Sequence, residues 1–330
     1  MKKLFKILLI IIVNLLLLLI TLLISDRIVY NAEAKPDRYY SLRKAGENIP
    51  PFSYYINNPE IMFVDFDNFF VGGDNFFKGR RPDGLKYYNK TPIVCFGDSY
   101  MFGQYLEPEQ TFPHKLSEAL KRPVYNRAVS GTAFATMYYQ VASEEYSPTF
   151  YREVPPSDTV FYMMINHHWW RTLTLGDTYV IGKLFYMRYT PKKGKLVMDN
   201  YKNKLYNFIK SSYTIRYLNL KYIDWYVNRG NSAERLTDLA MAYFLETRRI
   251  LEEKWNRKIK FVVIFYQATD IVHRDLLKRK LVDNDFIVID TKDLTDADLD
   301  SDKYMMKDNK HPTEELWNML TPKIIEQAGL

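Results

Sequence analysis

Pro92-Ile93-Val94-Cys95-Phe96-Gly97-Asp98-Ser99-Tyr100-Met101-Phe102-Gly103 is an apolar run that ends in a small-residue turn and presents a serine. Ile93 to Phe96 are all side chains that tolerate complete burial, as strands of a parallel sheet covered on both faces require. Gly97 permits a sharp turn. Ser99 then falls at the carboxyl end of a strand, where open α/β sheets carry their chemistry. The bland alternative is an ordinary strand-to-loop turn with Ser99 capping a helix.

The other end of the chain bears on that choice. Asp308-Asn309-Lys310-His311-Pro312 places a carboxylate three residues before a histidine, just ahead of a helical pattern. A serine hydroxyl is a poor nucleophile until a base takes its proton, and the base needs a third group to orient it. His311 and Asp308 are the residue types for those two jobs.

With these two segments the chain resembles the GDSL-like, or SGNH, hydrolases. Gly97-Asp98-Ser99 matches that family's first block and Asp308-x-x-His311 its last. The resemblance implies Ser99 as nucleophile, His311 as base and Asp308 as its orienting partner. It also implies an oxyanion hole completed by a glycine and an asparagine from two intervening blocks. Asn126-Arg127-Ala128-Val129-Ser130-Gly131 resembles the glycine block and Ile165-Asn166-His167 the asparagine block. The implied donors are therefore the backbone N–H groups of Ser99 and Gly131 and the side-chain amide of Asn166. Tyr100 stands where the family has leucine, and Met164-Ile165-Asn166-His167 stands where it has Gly-x-Asn-Asp.

From Pro92 onward, strand and helix patterns alternate. Candidate strands are 92–96, 123–128, 159–165, 259–266 and 285–290. Helical periodicity appears near 110–121, 132–146, 233–256, 271–281 and 313–327. This alternation predicts α/β architecture, a parallel sheet with helices on both faces. The resemblance implies the flavodoxin-like version, a three-layer α/β/α fold with five parallel strands. About sixty residues, from roughly 169 to 231, interrupt the rhythm. They are rich in Tyr, Lys and Arg, and a gap of that length implies structure of its own. The reading is an insertion with helix around 204–228 that shapes the mouth of the site; decoration remote from it is the alternative.

Ahead of this domain, Lys2, Lys3 and Lys6 precede an apolar run from about Ile7 to Ile24. Its length approaches the roughly 20 residues that span a bilayer. Basic residues on its amino side predict a cytoplasmic amino terminus and an extracytoplasmic remainder, periplasmic or at the cell surface. A cleaved signal peptide is the rival, but its apolar region is normally about 7–15 residues. Three segments are thus expected: an anchor at 1–25, a stalk and amino-terminal elaboration at 26–90, and the catalytic domain at 91–330. Turn signals punctuate the second segment, and Ile61 to Phe70 reads as a strand or two.

Composition narrows the function classes. The net charge of +7 comes from 46 basic and 39 acidic residues, too mixed to argue for nucleic acid, and no nucleic-acid motif is present. The single cysteine, Cys95, excludes an internal disulfide and a cysteine-based metal site, and reads as a small buried apolar residue. His167 and His168 lack the spacing of a zinc site. Asp296-x-Asp298-x-Asp300 lacks both the glycine and the closing glutamate of a calcium loop. No metal or cofactor is expected.

Aromatic residues reach 16%, with 27 tyrosines, and Trp169 and Trp170 follow the asparagine block. The pair could stack on a sugar ring; core packing is the competing role. The resemblance to the SGNH hydrolases implies ester hydrolysis through an acyl-serine intermediate. Its substrate would be an acylated small molecule or polysaccharide, with O-acyl groups of envelope carbohydrate foremost. An O-acyltransferase using the same residues and an inactive membrane-tethered glycan-binding protein are the alternatives.

Overall fold

The computed structural model describes residues 87–129, 132–144, 147–173, 189–192, 195–198, 221–222, 225–266, 272–306 and 311–330, with Val13, Asn14, Leu17, Ile20, Thr21, Ile24 and Ser25. The chain divides into two compact units, Met1–Glu47 with Asn200–Trp225, and Asn48–Asp199 with Tyr226–Leu330. In the first, the described residues of the apolar run are helical, and Val13, Leu17, Ile20 and Ile24 are exposed. Among the described residues no helix is long and apolar enough to cross a membrane, and most of the run from Ile7 to Ile24 lies outside them. The stalk expected at 26–90, including the strand at Ile61 to Phe70, also lies outside the described residues, apart from its last four positions.

The second unit is built on a five-stranded sheet: β1 (Ile93–Phe96), β2 (Val124–Asn126), β3 (Thr159–Met164), β6 (Lys260–Phe265) and β7 (Ile287–Asp290). Every neighbouring pair is parallel, in the order β2-β1-β3-β6-β7. Counting only this sheet's strands, the order is 2-1-3-4-5, that of a doubly wound sheet of the flavodoxin type. All five strands fall inside the stretches expected from sequence. Each is short and apolar, and in β1 and β3 every residue is buried.

Alternation along the strands sends side chains to two separate cores. On one face, Phe161 meets Phe112 of α2 (Phe112–Leu120), and Phe112 meets Trp317 of α9 (Glu314–Ala328), with ring centroids 5.9 and 5.5 Å apart. On the other, Tyr162 packs on Phe134 of α3 (Phe134–Ala142) and Phe244 of α6 (Ala233–Trp255), at 5.6 and 5.1 Å. The result is a three-layer α/β/α arrangement. In α6 the buried residues Leu236, Ala240, Phe244, Thr247, Leu251 and Trp255 recur every three or four positions, the spacing that makes one stripe of a helix apolar.

Two helices and a strand pair were not foreseen. Helix α4 (Ser147–Glu153) buries Phe150. Helix α5 (His167–Leu173) begins on the last residue of the asparagine block. Strands β4 (Tyr189–Lys192) and β5 (Lys195–Met198) pair antiparallel within the expected insertion. Of the helix expected around 204–228, residues 221–222 and 225–227 are helical, and 201–220 lie outside the described residues.

Candidate active site

Gly97 leaves β1 with φ +151°; a Cβ there would come within 2.8 Å of Met101 Cβ and 3.2 Å of the Met163 carbonyl oxygen. Only glycine fits a turn this close to the neighbouring strand. The turn feeds directly into α1 (Ser99–Phe102), a single helical turn whose N-cap is Asp98 and which Gly103 closes at φ 77°. Asp98 accepts from the Tyr100 N–H at 3.1 Å, an ordinary capping bond. Ser99 is thereby held at the first position of α1, at the carboxyl end of β1, and is buried.

The turn is braced from the β2 side. Asn126 donates from Nδ2 to the carbonyls of Met101 and Phe102, at 3.3 and 3.2 Å, and accepts from the Ala128 N–H at 3.2 Å. The Val129 N–H reaches the Gly97 carbonyl at 3.0 Å. This path leads into the glycine block, although Gly131 itself lies outside the described residues.

Asn166 follows β3 and precedes α5. The Val272 N–H lies 3.1 Å from its side-chain oxygen, Oδ1. A backbone N–H can only donate, so this contact orients the amide and leaves Nδ2 as the donor end. Ser99 after β1 and Asn166 after β3 flank the place where the strand order reverses, the crevice in which doubly wound sheets bind ligands.

His311 precedes α9 in a segment pinned by backbone bonds. Its carbonyl accepts from the Met306 N–H at 2.8 Å, Met305 and Pro312 form an antiparallel bridge, and the Thr313 N–H reaches the Tyr304 carbonyl at 2.9 Å. The imidazole lies between two tyrosines. Tyr100, next to Ser99, is 5.1 Å away between ring centroids with planes tilted 37°, and Tyr105 meets it edge-on, also at 5.1 Å. Tyr100 rests in turn on Tyr266 at 5.0 Å. Burial pushes the Tyr100 phenol up, assisted by the charge of Asp98. The fold thus sets His311 against the residue beside Ser99, although more than two hundred residues separate them in sequence. Asp308 lies outside the described residues.

Behind Ser99 is a buried ionic group that sequence reasoning did not single out. Asp98 is fully buried; its Oδ2 lies 2.7 Å from Arg171 Nη1 and 3.6 Å from His168 Nε2. His168 is also fully buried, and its Nδ1 lies 3.0 Å from the Tyr162 hydroxyl. Burial alone would raise the Asp98 pKa, but the close approach of His168 and the charge and hydrogen bond of Arg171 outweigh it and hold the carboxyl below the usual carboxylate range. Burial depresses His168 in spite of Asp98. A neutral ring beside a carboxylate carries its proton on Nε2, and Nδ1 then accepts from Tyr162. His168 and Arg171 stand three residues apart, on one face of a helix, and that spacing was the available signal. It was obscured because the helix falls where the sequence reads as the start of an insertion.

Two other expectations are settled by burial. Trp169 is 1% exposed, packs on Phe134 at 5.8 Å and donates its indole N–H to the Val272 carbonyl at 2.9 Å. It is a core residue and offers no open face to a sugar, which corrects the stacking role considered for it. The side chain of Trp170 lies outside the described residues. Cys95 is buried in β1, and burial pushes its thiol up, away from thiolate reactivity.

No protein-family model matches the chain, and no curated protein matches it. Among solved structures it is similar to a protein from Desulfitobacterium hafniense described as lipolytic and of the G-D-S-L family, at 12% identity over 72% of this chain and 99% of that one, with a TM-score of 0.40. It is similar to a GDSL-like lipase from Parabacteroides merdae at 14% identity over 72% and 95%, TM-score 0.40. A carbohydrate esterase family 2 enzyme with a carbohydrate binding domain, from Corynascus thermopiles, is similar at 12% identity over 73% and 67%, TM-score 0.39. Two of these neighbours are described as of G-D-S-L type and the third as a carbohydrate esterase.

Proposed function

We propose that this protein is an SGNH-type serine ester hydrolase. The observation that carries the reading is the seating of His311 against Tyr100, the neighbour of Ser99, at the switch point of the sheet. A hydroxyl at a strand end, and an imidazole brought from a distant segment to the residue beside it, are the first two members of a nucleophile–base–acid triad. Asp308, three residues before His311, is the third. Ser99 Oγ attacks the ester carbonyl carbon while His311 takes its proton. The tetrahedral oxyanion faces the Ser99 N–H, the Gly131 N–H and Asn166 Nδ2. Collapse expels the alcohol, to which His311 returns the proton. Water, activated by His311, then attacks the acyl-serine and releases the acid and free Ser99. Each well-placed oxyanion donor is worth about 2.7–4 kcal/mol.

The substrate we propose is an O-acyl group on carbohydrate of the cell envelope, reached from a membrane anchor formed by the run from Ile7 to Ile24. A sugar hydroxyl replacing water as acceptor would make the same residues an O-acyltransferase.

The test uses the full chain in native membranes and in detergent micelles with a short-chain nitrophenyl ester. A burst of nitrophenol that sediments with the membranes, and that is lost in Ser99→Ala and His311→Gln, is expected. Equal release by wild type and Ser99→Ala ends the hydrolase reading. Activity in the soluble fraction alone ends the anchor. Acetylated and free oligosaccharides then separate hydrolysis from transfer.

A further inference from the structure

The three oxyanion donors come from three separate strand-end segments. Ser99 follows β1, Gly131 follows β2 and Asn166 follows β3. Donors of this kind act only when their positions relative to one another are held to within about half an ångström, and the backbone ladders of the sheet end before any of them. Some connection beyond the ladder has to set their spacing.

The buried group behind Ser99 makes that connection. Asp98 precedes Ser99 directly, and its two carboxylate oxygens face different partners: Oδ1 caps α1 and Oδ2 meets Arg171 Nη1 at 2.7 Å. The same Nη1 donates to the Thr132 carbonyl at 3.1 Å, on the segment that follows Gly131. Arg171 itself rides on α5, whose first turn is closed onto the asparagine block by the Trp169 N–H, 3.2 Å from the Asn166 carbonyl. His168, one turn earlier on that helix, completes the contact to Asp98 and is held from β3 by Tyr162. One guanidinium therefore ties together the segments that bear all three donors.

We propose that Arg171 is a positioning residue that sets the spacing of the oxyanion donors by bridging the Asp98 carboxylate and the Thr132 carbonyl. The inference rests on the hydrolase reading above. It predicts a loss that appears in transition-state stabilisation and not in substrate binding, because the ground-state carbonyl makes weaker use of the donors than the oxyanion does.

Arg171→Lys is the informative variant. A lysine keeps the positive charge beside buried Asp98, but its side chain is one bond shorter than the path to Arg171 Nη1 and ends on a flexible stem, so its nitrogen does not reach both acceptors at the arginine geometry. With a nitrophenyl ester, Arg171→Lys is expected to lower kcat about tenfold or more. That is less than the 10²–10³-fold that follows outright loss of a donor, and KM should change less than about twofold. Arg171→Gly leaves a space for a free guanidinium ion, and millimolar guanidinium is expected to restore part of kcat. Circular dichroism establishes that each variant is folded. A folded Arg171→Lys with wild-type kcat, or a loss confined to KM, overturns the inference and leaves the hydrolase intact. If Arg171→Gly does not fold, the Lys variant alone decides. A wild type without Ser99-dependent release overturns the hydrolase reading, and the inference with it.

Discussion

Gly97 and Tyr105 show how single backbone positions shape the site. At Gly97 an added methyl would press on Met101 Cβ and the Met163 carbonyl, neither of which is the end of a flexible side chain. Gly97→Ala is therefore expected to destabilise the fold by about 1–3 kcal/mol, read from the urea midpoint; an unchanged midpoint would mean the turn can open without cost. Tyr105 adopts φ 68°, left-handed for a residue with a Cβ, at a cost of about 1–2 kcal/mol. Strain of this kind persists where surrounding contacts impose it and gathers at functional positions. Here it accompanies the edge-on contact with the His311 ring. The placement of Ser99 at a strand end, of Asn166 after β3 and of His311 ahead of a helix was legible in the sequence because each sits in a local block. Tyr105 was not, since nothing in the neighbouring residues announces a left-handed tyrosine.

Among the elements, α9 links the core to the site, since it begins three residues after His311 and carries Trp317 into the core. Trp317 is fully buried, with Phe112 at 5.5 Å and Tyr266 at 5.8 Å, and among the described residues its indole nitrogen has no hydrogen-bond partner. Trp317→Ala should cost about 3–5 kcal/mol by leaving a cavity. Trp317→Phe should cost under about 2 kcal/mol, because no hydrogen bond is lost with the nitrogen. Urea unfolding of the two variants measures the contrast, and equal losses would show the indole nitrogen to be satisfied. The five strands and the amphipathic helices were readable because burial on both faces writes continuous apolar runs and burial on one face writes a stripe. Helix α5 was not: seven residues with two histidines, two tryptophans and an arginine show no stripe, and the helix owes its place to the ionic contacts its polar side makes with Asp98.

At the scale of the molecule, the buried ionic group makes stability depend on pH with a definite sign. Burial holds His168 below its ordinary 6.5, so below that pH the unfolded chain takes up a proton that the folded chain refuses. Burial opposes the charge of Asp98, but His168 and Arg171 outweigh it and hold the carboxyl below its ordinary 3.8. The unfolded carboxyl is therefore protonated first as pH falls further. In both cases the unfolded state binds more protons, so stability falls with pH. The urea midpoint is expected to decline from pH 6.5 toward 4 and more steeply below, and a flat midpoint over that range would contradict the burial of both groups.

What the sequence determined by itself was the sheet, its parallel sense, the order of the blocks along the chain and the residue types able to do acyl transfer. These follow from short-range patterns: apolar runs, a glycine turn and a histidine ahead of a helix. The tertiary structure decided which of those side chains meet. It set His311 against the neighbour of Ser99, sent Trp169 into the core, and gathered Asp98, Tyr162, His168 and Arg171 into one buried group. Such contacts depend on how strand ends and a helix face converge in space, and a carboxylate and a guanidinium more than seventy residues apart carry no mark in the chain that they will be paired.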